Sequence, residues 1–558
     1  MEDVGRQGRI DHGLPAEVDV AAFPNITSVY RQAVNKFGQH TAFSSMGREL
    51  TFAEIDQLSG QFAAWIQNHT SLKPGDRIAL QLPNILQYPV AMFGALRAGL
   101  VVVNTNPLYT AREMRHQFKD SGAKAIVILA NMANLLEEVI GDTDIEHVVV
   151  TEIGDLLPPV KRVLVNTVVK YVKKMVPSFN LPMAKTFREV LASGQGLAVN
   201  EQEAQSDDIA VLQYTGGTTG VAKGAMLTHG NIVANMMQTA PQMDATGMVE
   251  GKEVLIAPLP LYHIYAFTIH CMVAFQRGCH SVLIANPRDI PGFVKELRNH
   301  KFSTFIGLNT LFIGLMNNED FQKLDFSTLK LTMSGGMALS RAVAERWQAM
   351  TGCSVTEGYG MTETSPVACA NPPNAEQLGT IGLPVPNTMV KVIDEDGNDL
   401  PLGETGELCI NGPQVMKGYW QRPDATAEVL SDGWLRTGDM AIIQQDGFVK
   451  LVDRKKDMII VSGFNVFPNE LEDVLMAHDS VVECAAIGLP DEKSGEVIKM
   501  FVVSNDPNLS ADDVRKYMRQ NVTAYKVPRF VEFRDELPKT NVGKVLRREL
   551  RDAETNAS

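Results

Sequence analysis

Along most of the chain, short apolar runs alternate with stretches whose apolar positions recur at helical spacing. RIALQLPN (77–84) precedes QYPVAMFGALRAG, AKAIVILA (123–130) precedes NMANLLEEVI, and SVLIA (281–285) precedes PGFVKELRNH. FSTFIGL precedes a further apolar run. Such runs read as strands buried on both faces and the stretches between them as crossover helices, which predicts an α/β fold with parallel sheets. Beyond about Pro384 the pattern changes. VKVIDEDGNDLPLGETGELCI and WLRTGDMAIIQQDGFVKLVDR place Asp-Gly and Gly-Glu turns between short strands, predicting hairpins and a small β-rich subdomain at about 385–455. A last unit begins near Lys456 and reads strand (MIIVSG), helix (PNELEDVLMAH), strand (VECAAIGLP), strand (VIKMFVVS), helix (SADDVRKYMRQN), then a basic tail. It is long enough to form a separate α+β domain. The expected organisation is therefore a large N-terminal domain of parallel-sheet α/β layers over 1–455, including the β subdomain, followed by a small α+β C-terminal domain over 456–558.

Composition narrows the partners. The 558 residues hold 51 Lys plus Arg against 65 Asp plus Glu, a net charge of −14, which argues against broad nucleic-acid binding and for small-molecule partners. The six cysteines are scattered with no CxxC pair, which fits a reducing compartment and no Cys-rich zinc site. MEDVGRQGRIDHGLP carries no apolar h-region, so the expected location is cytoplasmic. Val254 to Gln276 contains no Lys, Arg, Asp or Glu, but Pro258, Pro260, His263 and His270 make it a buried strand–loop–helix rather than a membrane span. Between Leu157 and Arg188, seven basic residues (Lys161, Arg162, Lys170, Lys173, Lys174, Lys185, Arg188) face no acidic one and alternate with valines and leucines. On an acidic chain this basic amphipathic segment fits either peripheral contact with an anionic membrane through 160–188 or an ordinary solvated helix face.

The densest chemical signal is IAVLQYTGGTTGVAKGAMLTHGNI. An expected strand (Ile209 to Tyr214) runs into Thr215, Gly216, Gly217, Thr218, Thr219 and Gly220, then Lys223 and Gly224, and a helix-like stretch follows. Glycines let backbone N–H groups approach an anion, the threonine hydroxyls add donors and Lys223 adds charge, as a polyphosphate requires. The Walker A pattern fails, because Ala222 precedes Lys223 and Gly224 follows it. In GYGMTETSP (358–366), Tyr359 can stack on a purine, Thr362 can donate to a phosphate and Glu363 can hold Mg²⁺, although a Thr-Glu-Thr run is also a common helix start.

YTGGTTGVAKGAMLTH resembles the phosphate-loop motif of the adenylate-forming superfamily of acyl-CoA synthetases, luciferases and adenylation domains. GYGMTETSP, WLRTGDMA (434–441), VDRKKDMIIVSGFNVFPNELE (452–472) and PKTNVGKVLRREL (538–550) follow in the order of that superfamily and extend the resemblance over essentially the whole chain. The resemblance implies ATP, Mg²⁺ and coenzyme A as co-substrates and cofactor, and a small C-terminal domain that is mobile. It assigns adenine to Tyr359, with Gly360 beside it, and to the Gly335–Gly336 loop. The α-phosphate goes to Thr362, the metal to Glu363, and the ribose to Asp439 and Arg454. It makes Lys544 the adenylation lysine and Lys456 the hinge, and it places Gly463 at the pantetheine tunnel and His263 on the acyl channel. The implied catalytic set is Lys544, Thr218, Glu363 and His263.

Within the superfamily, the 452–472 motif, PLPLYHIYAF and FIGLNTLF resemble bacterial long-chain fatty acyl-CoA synthetases. Ile306, Gly307, Leu308, Leu311, Phe312 and Met333 are the residue types of an apolar channel and equally of plain core. The expected reaction converts fatty acid, ATP and CoA to acyl-CoA, AMP and pyrophosphate through an acyl adenylate. A medium-chain or aryl-acid ligase would share every ATP motif. A non-catalytic sensor would lack some of Glu363, Asp439, Arg454 and Lys544, and all four are present. Chain-length preference and the choice between monomer and homodimer are not readable from the sequence.

Overall fold

Two largely parallel sheets carry the body of the protein. The computed structural model describes residues 2–215, 222–336, 339–462, 464–491, 493–539 and 545–557. One sheet has seven strands in the order Lys185–Thr186, His147–Thr151, Ala123–Leu129, Arg77–Gln81, Val101–Asn104, Ile209–Thr215, Lys223–Thr228. The other has nine, and its parallel centre runs Val355–Gly360, Leu331–Gly335, Thr304–Gly307, Val254–Ala257, His280–Leu283, Thr41–Ser45. Helices lie between the sheets. Gln87–Arg97 is buried at every position, and helix Phe52–His69 packs beside it. A helix apolar all round has water on neither side.

The uncharged 254–276 segment is core. Strand Val254–Ala257 leads to the π-helix Phe267–Ala274, in which every residue is buried. Phe275 then packs its ring against Tyr30, Phe43, Phe52 and Phe93, with centroids 4.5–6.0 Å apart. Among the described residues no helix is long and apolar enough to cross a membrane.

The expected hairpins form an antiparallel sheet of five strands, with Met389–Ile393, Thr405–Asn411 and Trp434–Ile443 side by side and Val449–Arg454 on the far edge. The last unit has its own sheet, Phe464–Val466, Ile459–Val461, Gly495–Ser504 and Val481–Asp491, with Phe530–Phe533 joined in parallel to Gly495–Ser504. Helices Pro468–Met476 and Ala511–Asn521 bury Leu471, Leu475, Val514 and Met518 on one face of it in a separate core.

Two elements depart from expectation. The glycine-rich loop leads not into a helix but into strand Lys223–Thr228, which returns antiparallel along Ile209–Thr215 with Tyr214 opposite Gly224. The helix starts only at His229, where the Thr228 side chain accepts from the Asn231 N–H and closes the N-terminus. The first half of the basic segment forms helix Pro159–Thr167 and a π-turn Val168–Val172, and neither element buries a residue, whereas Leu181 and Phe187 further on are buried.

Two histidines, His229 and His270, are sealed in this core, and a third, His280, is half-buried at its edge. His229 Nδ1 accepts from the Ile26 N–H (3.3 Å), His270 Nδ1 lies 3.1 Å from Ser281 Oγ, and His280 Nε2 lies 2.7 Å from Ser44 Oγ. Burial pushes their pKa values down, to about 4, 3 and 4. The unfolded chain binds these protons near pH 6.5 and the folded chain only well below it, so their contribution to stability is lost as pH falls through that window. Glu357, pushed up to about 8 by burial, acts in the opposite sense. His270→Gln should therefore flatten the slope of unfolding free energy against pH between 6 and 4.5, by up to ~1.4 kcal/mol per pH unit. A slope equal to that of the parent would mean that His270 titrates normally.

Candidate functional site

The carboxyl ends of two neighbouring parallel strands open into a cavity of about 1180 Å³. Leu331–Gly335 and Val355–Gly360 run side by side with Gly335 opposite Gly358. In open α/β sheets this edge is where ligands bind. Gly336 follows with φ +85°, a backbone that side-chain-bearing residues rarely adopt. Gly360 is equally constrained, because a Cβ there would sit 2.0 Å from the Pro366 carbonyl oxygen. Gly335, Gly336, Tyr359, Gly360 and Thr362 all line the cavity.

Tyr359 connects this edge to the β subdomain. Its hydroxyl donates to Asp439 Oδ2 (2.6 Å), and Asp439 Oδ1 pairs with Arg454 Nε (3.2 Å). Asp439 itself sits behind the wall that Arg454, Thr437 and Gly438 expose. A carboxylate has about four acceptor positions, so these two contacts leave capacity for ribose hydroxyls.

Glu363 lies in the single turn Thr362–Thr364 and is buried, which raises its carboxyl pKa, while a hydrogen bond from Tyr419 opposes the rise. Among the described residues no three His, Cys, Asp or Glu side chains come together as a metal cage. One carboxylate is nevertheless the donor set that suits Mg²⁺ completed by phosphates and water. Thr215 and Lys223, the last residue of one hairpin strand and the first of the next, line the cavity opposite.

The apolar end is formed by Leu259, Pro260, Tyr265, Leu308 and Met333, with His263. His263 caps the short helix Ile264–Ala266, its Nδ1 accepting from the Tyr265 N–H (3.3 Å), and burial pushes its pKa to about 4, so the ring is neutral at pH 7. Of the six residues expected on an apolar channel, Leu308 and Met333 reach the cavity. Ile306 and Phe312 are packed in two separate cores instead, Gly307 is buried and Leu311 packs against the Phe312 core.

Lys456 lies in the turn Lys455–Asp457 between the β subdomain and the last unit, and it too faces the cavity. The last unit contributes Val545, Leu546, Arg547 and Arg548. Gly216, Gly217, Thr218, Thr219, Gly220, Gly463 and Lys544 lie outside the described residues.

Some pairings around the cavity carry no sequence signal of their own, although Arg436, Lys455, Asn469, Glu472 and Arg547 lie inside the motifs quoted above. Arg547 donates to Glu472 (2.6 and 3.1 Å) and Asn469 Oδ1 (2.6 Å), and Glu407 accepts from both Arg436 (2.6 Å) and Lys455 (3.1 Å). Tyr419 is tied to Glu363. Each partner lies 29 to 78 positions away, so no local pattern marks the pairing.

A large α/β body, a β subdomain and a small α+β unit meeting around a cavity long enough for a nucleotide and an acyl group make the architecture of an adenylate-forming enzyme. The family described as AMP-binding enzyme matches residues 30–420, and the AMP-binding enzyme C-terminal domain matches 470–544. The chain belongs to this family. A long-chain-fatty-acid–CoA ligase of Haemophilus influenzae is 53% identical over 539 residues, 96% of either chain. One of Escherichia coli O6:H1 is 52% identical over 540 residues, 97% of this chain and 96% of the relative. The solved structure of an anthranilate CoA ligase in complex with anthranoyl-AMP superposes with a TM-score of 0.85 over 97% of this chain and 99% of that one. At 23% identity it speaks to the fold alone.

Proposed function

We propose that the protein is an AMP-forming long-chain fatty acid–CoA ligase. The observation that carries this reading is one continuous cavity running from the Thr362–Glu363 turn to the apolar wall at Leu259, Leu308 and Met333, in a chain more than half identical to ligases of that name. A fatty carboxylate oxygen attacks the α-phosphorus of ATP, the bond to the pyrophosphate oxygen breaks, and acyl adenylate forms. The thiol of coenzyme A then displaces AMP.

Tyr359 and the Gly335–Gly336 backbone hold the adenine, and Asp439 and Arg454 the ribose. Thr362, Lys223 and the loop from Thr215 through Thr218 to Gly220 hold the phosphates, aligning the in-line attack. Mg²⁺ held by Glu363 supplies neutralisation of phosphate charge. Lys544 brings a positive charge to the charge that develops in adenylation, and the residues that follow it, Val545 to Arg548, line the same cavity. His263, neutral at pH 7, shapes the acyl wall without adding charge. The domains divide at 455/456. The unit 456–558 turns about Lys456 between the half-reactions, bringing Gly463 to the pantetheine path.

Residues 160–188 are the proposed peripheral contact with an anionic membrane. Val160 is 84% exposed and Val172 71%, on a helix that buries nothing while the chain as a whole is acidic.

Palmitate and oleate should exceed 4-coumarate and acetate in kcat/KM for AMP formation, and the reverse order would sink the fatty-acid assignment. Lys544→Ala should slow adenylation by roughly 10²–10³ while supplied acyl adenylate is still converted to acyl-CoA, since only the first step loses its charge stabilisation. Gly463→Leu should do the opposite by obstructing the thiol. Equal impairment of both steps by Lys544→Ala would contradict the division of labour. Near an anionic surface each basic residue contributes about 1 kcal/mol. Changing Lys170, Lys173 and Lys174 to Glu should therefore release the protein from anionic liposomes at low salt, and unchanged co-sedimentation would leave a solvated helix face.

A further inference from the structure

The strip 415–420 belongs to none of the motifs read above, yet it is stitched between two walls of the site. On one side the Met416 N–H donates to the Glu363 carbonyl oxygen (2.8 Å). On the other, the strip follows the strand that leaves the glycine-rich loop. Lys417 N–H donates to Met226 O (3.0 Å), Met226 N–H to Gly418 O (2.9 Å), and Trp420 N–H to Gly224 O (2.8 Å). Tyr419 sits in the middle, 9% exposed, with its own N–H on Thr426 Oγ1 (2.9 Å). Its hydroxyl donates to Glu363 Oε1 (2.7 Å), and the Lys223 ammonium lies 5.1 Å from its ring centroid. A buried tyrosine in a core would only need some acceptor for its hydroxyl. This one puts its hydroxyl and its ring on two groups that line the same cavity.

We propose that Tyr419 is a positioning residue for adenylation, fixing the Glu363 carboxylate through its hydroxyl and the Lys223 ammonium through its ring. The terminal torsion of a glutamate is soft, so an unanchored carboxylate samples many orientations. A hydrogen bond on Oε1 sets the plane and leaves Oε2 for the metal. Cations are attracted to the ring face, so the same side chain holds Lys223 at a set distance from that carboxylate. This inference deepens the proposed function and rests on Glu363 as the metal-binding carboxylate.

Two readouts test it. Mn²⁺ binding is titrated by electron paramagnetic resonance in the presence of α,β-methylene-ATP, which cannot transfer its adenylyl group. Separately, the Mg²⁺ dependence of acyl-adenylate formation is compared with thioester formation from supplied adenylate on the same sample, so that any loss of folded protein cancels. Tyr419→Phe, which keeps the ring, should weaken Mn²⁺ binding and raise the Mg²⁺ needed for half-maximal adenylation by roughly tenfold, the scale on which partners of metal ligands act. It should also lower the ratio of adenylation to thioester formation at limiting Mg²⁺. Tyr419→Leu should in addition weaken binding of the analogue without metal, through Lys223. Glu363→Gln is the reference. If that variant binds Mn²⁺ as the parent does, the metal assignment of Glu363 fails. If Glu363→Gln loses Mn²⁺ and Tyr419→Phe does not, Tyr419 is a packing residue and the inference is overturned.

Discussion

Everything in the site hangs from the close approach of two parallel strands that end on glycine. Gly335 and Gly358 face each other across the ladder, and a Cβ on Gly335 would press at 3.3 Å on the Gly358 carbonyl and on the Tyr265 ring. That approach brings the backbone at 335–336 level with Tyr359. Tyr359 then reaches Asp439 in the β subdomain, and Asp439 reaches Arg454, two residues before Lys456. Tyr359, next to the end of one strand, thus links the large body to the residues that precede the small unit. A bulkier residue at Gly335 or Gly360 would displace the ligand-facing edge and, through Tyr359, the carboxylate behind it.

An acidic protein that binds a polyanion has to keep its positive charges local. Around the cavity stand Lys223, Arg436, Arg454, Lys455, Lys456, Arg547 and Arg548. Several are tethered to buried or part-buried carboxylates. Glu407 takes Arg436 and Lys455. Its burial would raise its pKa, but those two hydrogen bonds hold it below the usual range. Arg547 is held by Glu472, and Arg454 by Asp439. A guanidinium on a fixed carboxylate needs less reordering when a phosphate arrives than one free in solvent, which is the electrostatic meaning of preorganisation. Because these carboxylates are paired with cations, they add little uncompensated negative potential beside the cavity.

What could be read from the sequence follows how local the governing interaction is. Buried parallel strands were legible because each is a continuous apolar run, and the hairpins because Asp-Gly and Gly-Glu turns mark them. The strand Lys223–Thr228 was not. Its partner lies across the glycine-rich loop, and a six-residue KGAMLT run has no period long enough to separate strand from helix. Leu308 and Met333 were chosen with Ile306, Gly307, Leu311 and Phe312 because apolar type alone does not say which face of a strand or helix meets a cavity. Tyr359, Thr362, Arg454 and Lys456 line one cavity, and each could be singled out in the sequence because its motif is contiguous. Tyr419 lies in no quoted motif, and although Arg547 lies in one, the contacts of the two residues to Glu363 and Glu472 span 56 and 75 positions and leave no local mark.

The rotation proposed about Lys456 would act on the contacts between the small unit and the body. Within the unit, Arg547 is bound to Glu472 by two hydrogen bonds, and Arg551 to Asp457 by one at 2.7 Å. These travel with the unit. Across the proposed boundary, the Asn469 N–H donates to Asp453 Oδ2 (2.7 Å), and Arg547 comes within 3.9 Å of Asp453 Oδ1. Burial pushes the Asp453 carboxyl up to about 6, against the pull of Arg547. A carboxylate of this kind is an economical latch. Its desolvation offsets much of its attraction for the arginine, so the contact fixes an orientation while adding little net stability. Turning the unit would return Asp453 to water and recover its solvation, while Arg547 keeps Glu472 and is never left buried without a partner. Of the carboxylates that face Arg547, Glu472 within the unit is held at 2.6 Å and Asp453 across the boundary at 3.9 Å, which is the order of strengths the proposed rotation would require.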